Sequence, residues 1–139
     1  MIPRYRAYDR EKDRMIYPST TGVCFELNDD GISVLDVDVD YPNDYGFPKI
    51  ASILMQSTGL KDKNGVEIFE WDIVLVNVSN GFDHLVNEKT VVQESEFHSG
   101  LVCKSLISGM EYRIFSHPKM GYEYEVIGNI YENSELLEE

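Results

Sequence analysis

Period-two alternation of apolar and polar side chains, broken by short Gly, Asn and Asp clusters, runs through most of the 139-residue chain and predicts a succession of β-strands. The densest apolar run, Ile73 to Val78, has one polar interruption and is rich in β-branched side chains, the composition of a strand covered on both faces. Just before it, Asn64-Gly65 predicts a type I′ hairpin turn, because both residues tolerate the positive φ that such a turn demands. Glu70-Trp71-Asp72 then makes a corner into the buried strand. Leu54 to Val78 therefore reads strand, turn, short strand, corner, buried strand, and it holds no evident reactive group.

The same pattern orders the rest of the chain. Arg4 to Tyr8 and Arg14 to Tyr17 are predicted strands around a polar turn, and Pro18 to Gly22 is a loop. Val23 to Leu27 and Ile32 to Val39 flank Asn28-Asp-Asp-Gly31, a second hairpin turn. In the later strand Leu35, Val37, Val39 and Tyr41 share one face, with Asp36, Asp38 and Asp40 on the other. Tyr41 to Pro48 is the expected seam between an N-terminal β-hairpin unit, residues 1–48, and a C-terminal unit, residues 49–139. Lys49 to Gln56 fits a strand or a short helical turn equally well. Ser79 to Glu88 reads as a variable loop. Thr90 to Phe97 and Leu101 to Ser105 form a third hairpin across His98-Ser-Gly100. Glu111 to Phe115 is a short strand, Ser116 to Gly121 a loop, and Tyr122 to Tyr131 alternates. Asn133 is placed to cap a short tail helix over Ser134 to Glu138. The fold class is mainly β, with a short C-terminal helix.

Three blocks carry a family resemblance. Leu54-Met-Gln-x-Thr-Gly-Leu-Lys-Asp-Lys-Asn-Gly-x-Glu-Ile-Phe-Glu-x-Asp-Ile-Val74 resembles the central motif of the YopX family, small proteins of phages and prophages in Gram-positive bacteria. Arg6-Ala-Tyr-Asp9 with Met15-Ile16 is similar to the family's opening, and Tyr124 to Asn133 to its close. The resemblance implies a phage or prophage origin and a β-rich fold with an SH3-like barrel in the C-terminal part, and it carries no activity with it. The family usually has Gly where this chain has Trp71. Either Trp71 accepts the strain and packs over the barrel or, the expectation favoured here, the corner is rebuilt in a conformation that any residue can adopt.

Composition narrows the functional classes. With 42% hydrophobic and 12% aromatic residues the chain can bury a core. Its net charge of −13 is uneven: residues 1–14 hold five bases (Arg4, Arg6, Arg10, Lys12, Arg14) against three acids, which leaves −15 on the remainder. That balance argues against non-specific nucleic-acid binding and favours a basic protein partner. Cys24 and Cys103 are far apart in no C-x-x-C arrangement, the pattern of reduced core thiols in a cytoplasmic protein. The opening residues lack the apolar stretch of a signal peptide, and no apolar run approaches the length of a membrane span.

Candidate chemistry is sparse. Asp36-Val-Asp-Val-Asp40 suggests calcium, but an EF-hand loop starting there needs Gly and Glu where the chain has Tyr41 and Phe47. Alternate carboxylates on a strand lie about 7 Å apart, too far to chelate one ion unaided. The plain reading is a solvated face or a charged strand edge that resists aggregation. From Met15 to Pro48 there is no Lys or Arg, while Glu26, Asp29, Asp30, Asp36, Asp38, Asp40 and Asp44 all fall inside. Such an acidic surface can steer a basic partner or imitate a nucleic-acid backbone. His84, His98 and His117 are too scattered for a zinc motif, no nucleophile motif is present, and Gly59 to Gly65 lacks the Lys-Ser/Thr of a phosphate loop. Asp62 and Asn64 there read as turn formers.

Arg4, Arg6 and Arg10 with Tyr5 and Tyr8 form the one basic-aromatic cluster. Arg4 and Arg6 are expected on one strand face, either as a base-stacking surface or, more simply, paired with the acidic remainder. The expected function is a non-enzymatic protein-interaction module with no metal or cofactor. It would contact a protein partner through Asp36, Asp38 and Asp40, with self-association as a further option. A nucleic-acid accessory factor using the N-terminal arginines is the alternative.

Overall fold

The apolar run after Trp71 becomes β7 (Asp72–Ser79), whose Val74, Val76 and Val78 point one way and are fully buried, while Ile73 is fully buried on the other face. The computed structural model describes residues 4–39, 46–79, 81, 84–115 and 121–138. These residues are mainly β, and none of their helices is long and apolar enough to cross a membrane. Two compact units are present, residues 5–56 and residues 57–139 together with 1–4. Part of the expected seam at 41–48 lies outside the described residues. The unit boundary falls at Gln56/Ser57, inside β5 (Ser52–Lys61), a single strand that belongs to both.

In residues 5–56, β1 (Tyr5–Asp9) pairs antiparallel with β2 (Arg14–Ile16) on one side and with the first half of β5 on the other. A hairpin of β3 (Val23–Asn28) and β4 (Gly31–Asp36) forms a separate two-stranded sheet. Ala7, Ile16 and Val34 form the buried core of this unit, with Val23, Phe25 and Ile50 packed against it. The segment left open between strand and helical turn is strand from Ser52 onward.

In the second unit the later half of β5 pairs with β6 (Glu67–Phe69). A curled five-stranded antiparallel sheet, a half-barrel, follows. Its members are β7, β8 (His84–Glu94), β9 (Leu101–Ser105), β10 (Glu111–Tyr112) and β11 (Tyr122–Asn129), in the order β10-β9-β8-β7-β11. The expected loop at Ser79 to Glu88 is shorter, because β8 begins at His84 and pairs with Ser79. Val74, Val76 and Val78 pack with Ile68, Val92, Cys103 and Tyr124. The alternation foreseen in β11 holds at its centre, with Tyr124 buried and Glu123 exposed.

Two corners differ from expectation. Asn64 does not take positive φ; Gly65 does, at 82°. Gly65 N–H donates to Asp62 O at 3.0 Å and Asp62 N–H to Val66 O at 2.8 Å, a three-residue turn closed by a left-handed glycine instead of type I′. The cause is Asp62, whose Oδ1 accepts Asn64 N–H at 2.9 Å and Val66 N–H at 2.8 Å. Trp71, in turn, does take the left-handed conformation, with φ 68°. An L side chain there costs about 1–2 kcal/mol. The corner is held all the same: Trp71 N–H donates to Val92 O at 2.7 Å, Ile130 N–H to Trp71 O at 3.1 Å, and Phe69 N–H to the buried Asp72 carboxylate at 2.7 Å.

The tail is one 3-10 turn, Ser134–Leu137, and Asn133 does not cap it with its side chain. The Asn133 Oδ1 instead accepts Asn129 N–H at 3.1 Å. Asp62 also reaches across the sheet, its Oδ2 accepting Val126 N–H at 2.9 Å. Asp62→Ala would leave three amides without their acceptor, and urea unfolding is expected to show a loss of about 3 kcal/mol. Asp62→Asn, which keeps one oxygen, should lose about half of that.

Candidate functional site

The acidic segment is built on the β3–β4 hairpin. Asn28 opens its turn, with Oδ1 accepting Asp30 N–H at 2.9 Å and Nδ2 donating to Ser33 Oγ at 2.8 Å. Gly31 closes it with φ 118°. Glu26, Asp29, Asp30 and Asp38 are exposed. Leu27 is 78% exposed beside them, and among the described residues β3 pairs with β4 alone.

β4 ends at Asp36, though Val37 N–H carries the bonding one residue further, to Gly22 O at 3.0 Å, and Val37 and Val39 stay half-buried on either side of Asp38. Asp36 is half-buried, and its Oδ1 accepts Asp38 N–H at 3.0 Å. Asp38 remains exposed, packed near Gly22, and Asp40 lies outside the described residues. The exposed acids that the sequence reading ranked behind these, Glu26, Asp29 and Asp30, sit at the hairpin tip.

The basic-aromatic cluster is dispersed. Arg4 precedes β1 and pairs with Glu67 at 2.8 Å, as the plainer reading expected. Arg6 is only 4% exposed, with its Nε directed to Met55 Sδ at 3.4 Å, so it shares no surface with Arg4. Arg14 lies 3.5 Å from the buried Asp9 carboxylate. His84 and His98 are exposed, and His117 lies outside the described residues. Among the described residues no group of three or more His, Cys, Asp or Glu side chains is placed to hold a metal ion.

Tyr124 donates to Arg113 O at 2.5 Å and accepts Phe115 N–H at 3.2 Å, and burial pushes its phenol up. Glu111 accepts from Ser95 Oγ at 2.5 Å and Glu96 N–H at 2.8 Å; these two bonds hold its carboxyl below the usual range. Both are turn-fixing arrangements. A cleft beside Lys49 to Leu54 left no mark in the sequence, because it depends on how β4 and β5 diverge in space.

A family model described as "YopX protein" matches residues 4–138. The chain belongs to the YopX family. Protein EF1440 from Enterococcus faecalis is similar in structure, with 26% identity, a TM-score of 0.61 and 99% of each chain covered. The yopX protein from Bacillus subtilis matches with 20% identity and a TM-score of 0.63 over 97% of this chain and 95% of that one, a likeness of fold. A comparison with curated proteins finds no match. The corner before β7, where the resemblance to the family had led to the expectation of a rebuilt turn, takes the left-handed backbone with Trp71 on it.

The two thiols differ. Cys103 is in the core as expected, and burial pushes it up to about 12. Cys24 is exposed on β3, a correction to its reading as a core thiol: the outward face of a strand with one partner leaves it in solvent. A thiol reagent at pH 8 is expected to label one group per native chain, and none in Cys24→Ser; Cys103 should react only on unfolding.

Proposed function

We propose that this YopX-family chain is a non-enzymatic interaction module of phage or prophage origin, acting in the bacterial cytoplasm by binding a basic protein through the β3–β4 hairpin. The observation that carries this reading is the outer side of β3. Its only strand partner among the described residues is β4, and Glu26, Asp29 and Asp30 are exposed along it and its turn. No Lys or Arg occurs between Met15 and Pro48 to neutralise them. An uncompensated field of this kind raises association rates with a cationic surface. A strand edge of this kind also suits self-association.

Of the arginines that the nucleic-acid alternative would use, Arg6 is buried, while Arg4, paired with Glu67, and Arg10 are exposed. The module reading rests on a local face and not on overall charge, and that distinction is testable. Replacing Glu26, Asp29, Asp30 and Asp38 by Lys should abolish capture of a partner from Gram-positive host extract. Reversing the exposed Glu94, Glu135 and Glu138 should leave capture intact. Stability of both variants, read from thermal melts, should change by about 0.5 kcal/mol or less. Equal loss of capture in both would show a response to net charge alone and refute the site.

A further inference from the structure

Within residues 5–56, β4 and the chain leading into β5 begin as a ladder and then separate. Leu35 and Lys49 form an antiparallel bridge, closed by Asp36 N–H to Pro48 O at 2.9 Å and Ile50 N–H to Val34 O at 2.8 Å. In an antiparallel ladder one residue's N–H and C=O point to the same side and alternate residues to opposite sides. Val34 and Asp36 therefore face residues 48–50, and Ile32 faces the same way. On the other strand Ser57 N–H donates to Arg4 O at 2.8 Å, and the register pairs Gln56 with Tyr5. The odd residues of β5 thus bond toward β1, and Ser52 and Leu54 turn their backbone groups to the opposite edge.

Continuing the bridge's register would bring Ile32 opposite Ser52. No hydrogen bond joins these two among the described residues. The strands diverge instead around a cleft of about 340 Å³, whose lining includes Ile32, Val34, Lys49, Ala51, Ser52 and Leu54. Two strand edges thus turn backbone donors and acceptors toward a mainly apolar space. Lys49 at this cleft is exposed and has no ion pair among the described residues.

We propose that this cleft takes an extended peptide segment, apolar at alternate positions and carrying a carboxylate, which adds as a strand where the ladder has opened, along Ile32 on one side and Ser52 and Leu54 on the other. An extended chain presents donors and acceptors at the repeat of a strand edge, so it satisfies backbone groups that a hydrocarbon leaves bare. The volume suits two or three small apolar side chains and lies at the small end of ligand sites. Lys49 is the one charged side chain in the lining, which selects a carboxylate. The site uses the edge of β4 that faces away from β3, and it stands independently of the acidic-face reading.

The test is an amide-shift titration of the full chain with the peptide acetyl-Val-Thr-Val-Thr-Val bearing a free C-terminal carboxylate. Shifts are expected at Ile32, Val34, Ser52 and Leu54. The C-terminally amidated peptide should bind about three- to tenfold more weakly. Of two versions N-methylated on alternate residues, the one blocked toward the edge should bind about tenfold more weakly. Ala51→Trp, which fills the space from an exposed position, should abolish binding with an unchanged melting temperature. Absence of shifts at millimolar peptide overturns the proposal, as do shifts confined elsewhere or equal binding of the amidated and N-methylated peptides. Because those peptide arms use the unaltered protein, a misfolded Ala51→Trp variant does not rescue or sink the idea. Failure here would leave the salt- and charge-dependent capture by β3 untouched, so the two readings fall separately.

Discussion

One carboxylate fixes the second unit. Asp62 is 7% exposed and spends both oxygens on backbone amides: Asn64 and Val66 within its own turn, Val126 on β11. An ionised acceptor makes these bonds stronger than neutral ones, and burial makes their absence costly. The turn is thereby tied to the outer side of β11, where Lys63 N–H donates to Tyr124 O at 3.0 Å and the Lys63 ammonium lies 2.9 Å from Glu123. A sheet margin that would otherwise be open is covered by a loop, one of the ways natural sheets avoid edge-to-edge association. β7, which pairs with β11 along its length, inherits its position from this contact.

The same device recurs at other reversals. Asp9 Oδ1 accepts the amides of Glu11 and Lys12 after β1, and Ser95 Oγ those of Phe97 and His98 after β8. Ser105 Oγ takes Ile107 and Ser108 after β9, and Asn129 Oδ1 takes Tyr131 and Glu132 after β11. Short oxygen-bearing side chains compete for local backbone donors, which makes them frequent in turns. This is why the succession of strands along the chain and most strand positions were readable from punctuation alone. What punctuation could not supply was turn type. Asn64-Gly65 permits two left-handed residues in a row, and the choice fell to Asp62, whose oxygen rewards a different path. Trp71 shows the converse: local preference opposed the left-handed backbone, and bonds from Val92, Ile130 and Phe69 outweighed it.

The candidate sites were legible in unequal measure. A stretch with seven acids and no base announces a negative surface whatever its fold. Its detailed form did not follow, because the alternation of Asp36, Asp38 and Asp40 presumes a strand that in fact stops at Asp36. Beyond that point the Asp36 side chain takes up the Asp38 amide. Arg6 was misplaced for a related reason: period two assigns a face, but which face is buried depends on β5, a distant segment. The cleft is less accessible still, since it arises where Ile32 and Ser52 fail to meet.

β5 has a consequence for the history of such a chain. Its early residues bond to β1, its late residues to β6, and the boundary between the two compact units passes through it without a loop. Gene rearrangement ordinarily trades modules at flexible joints, where cutting harms neither side. Here a crossover at Gln56 would divide one continuous ribbon and part Arg4 from its partners Ser57 and Glu67. Inheritance of the two parts as a single block is the outcome that this architecture enforces.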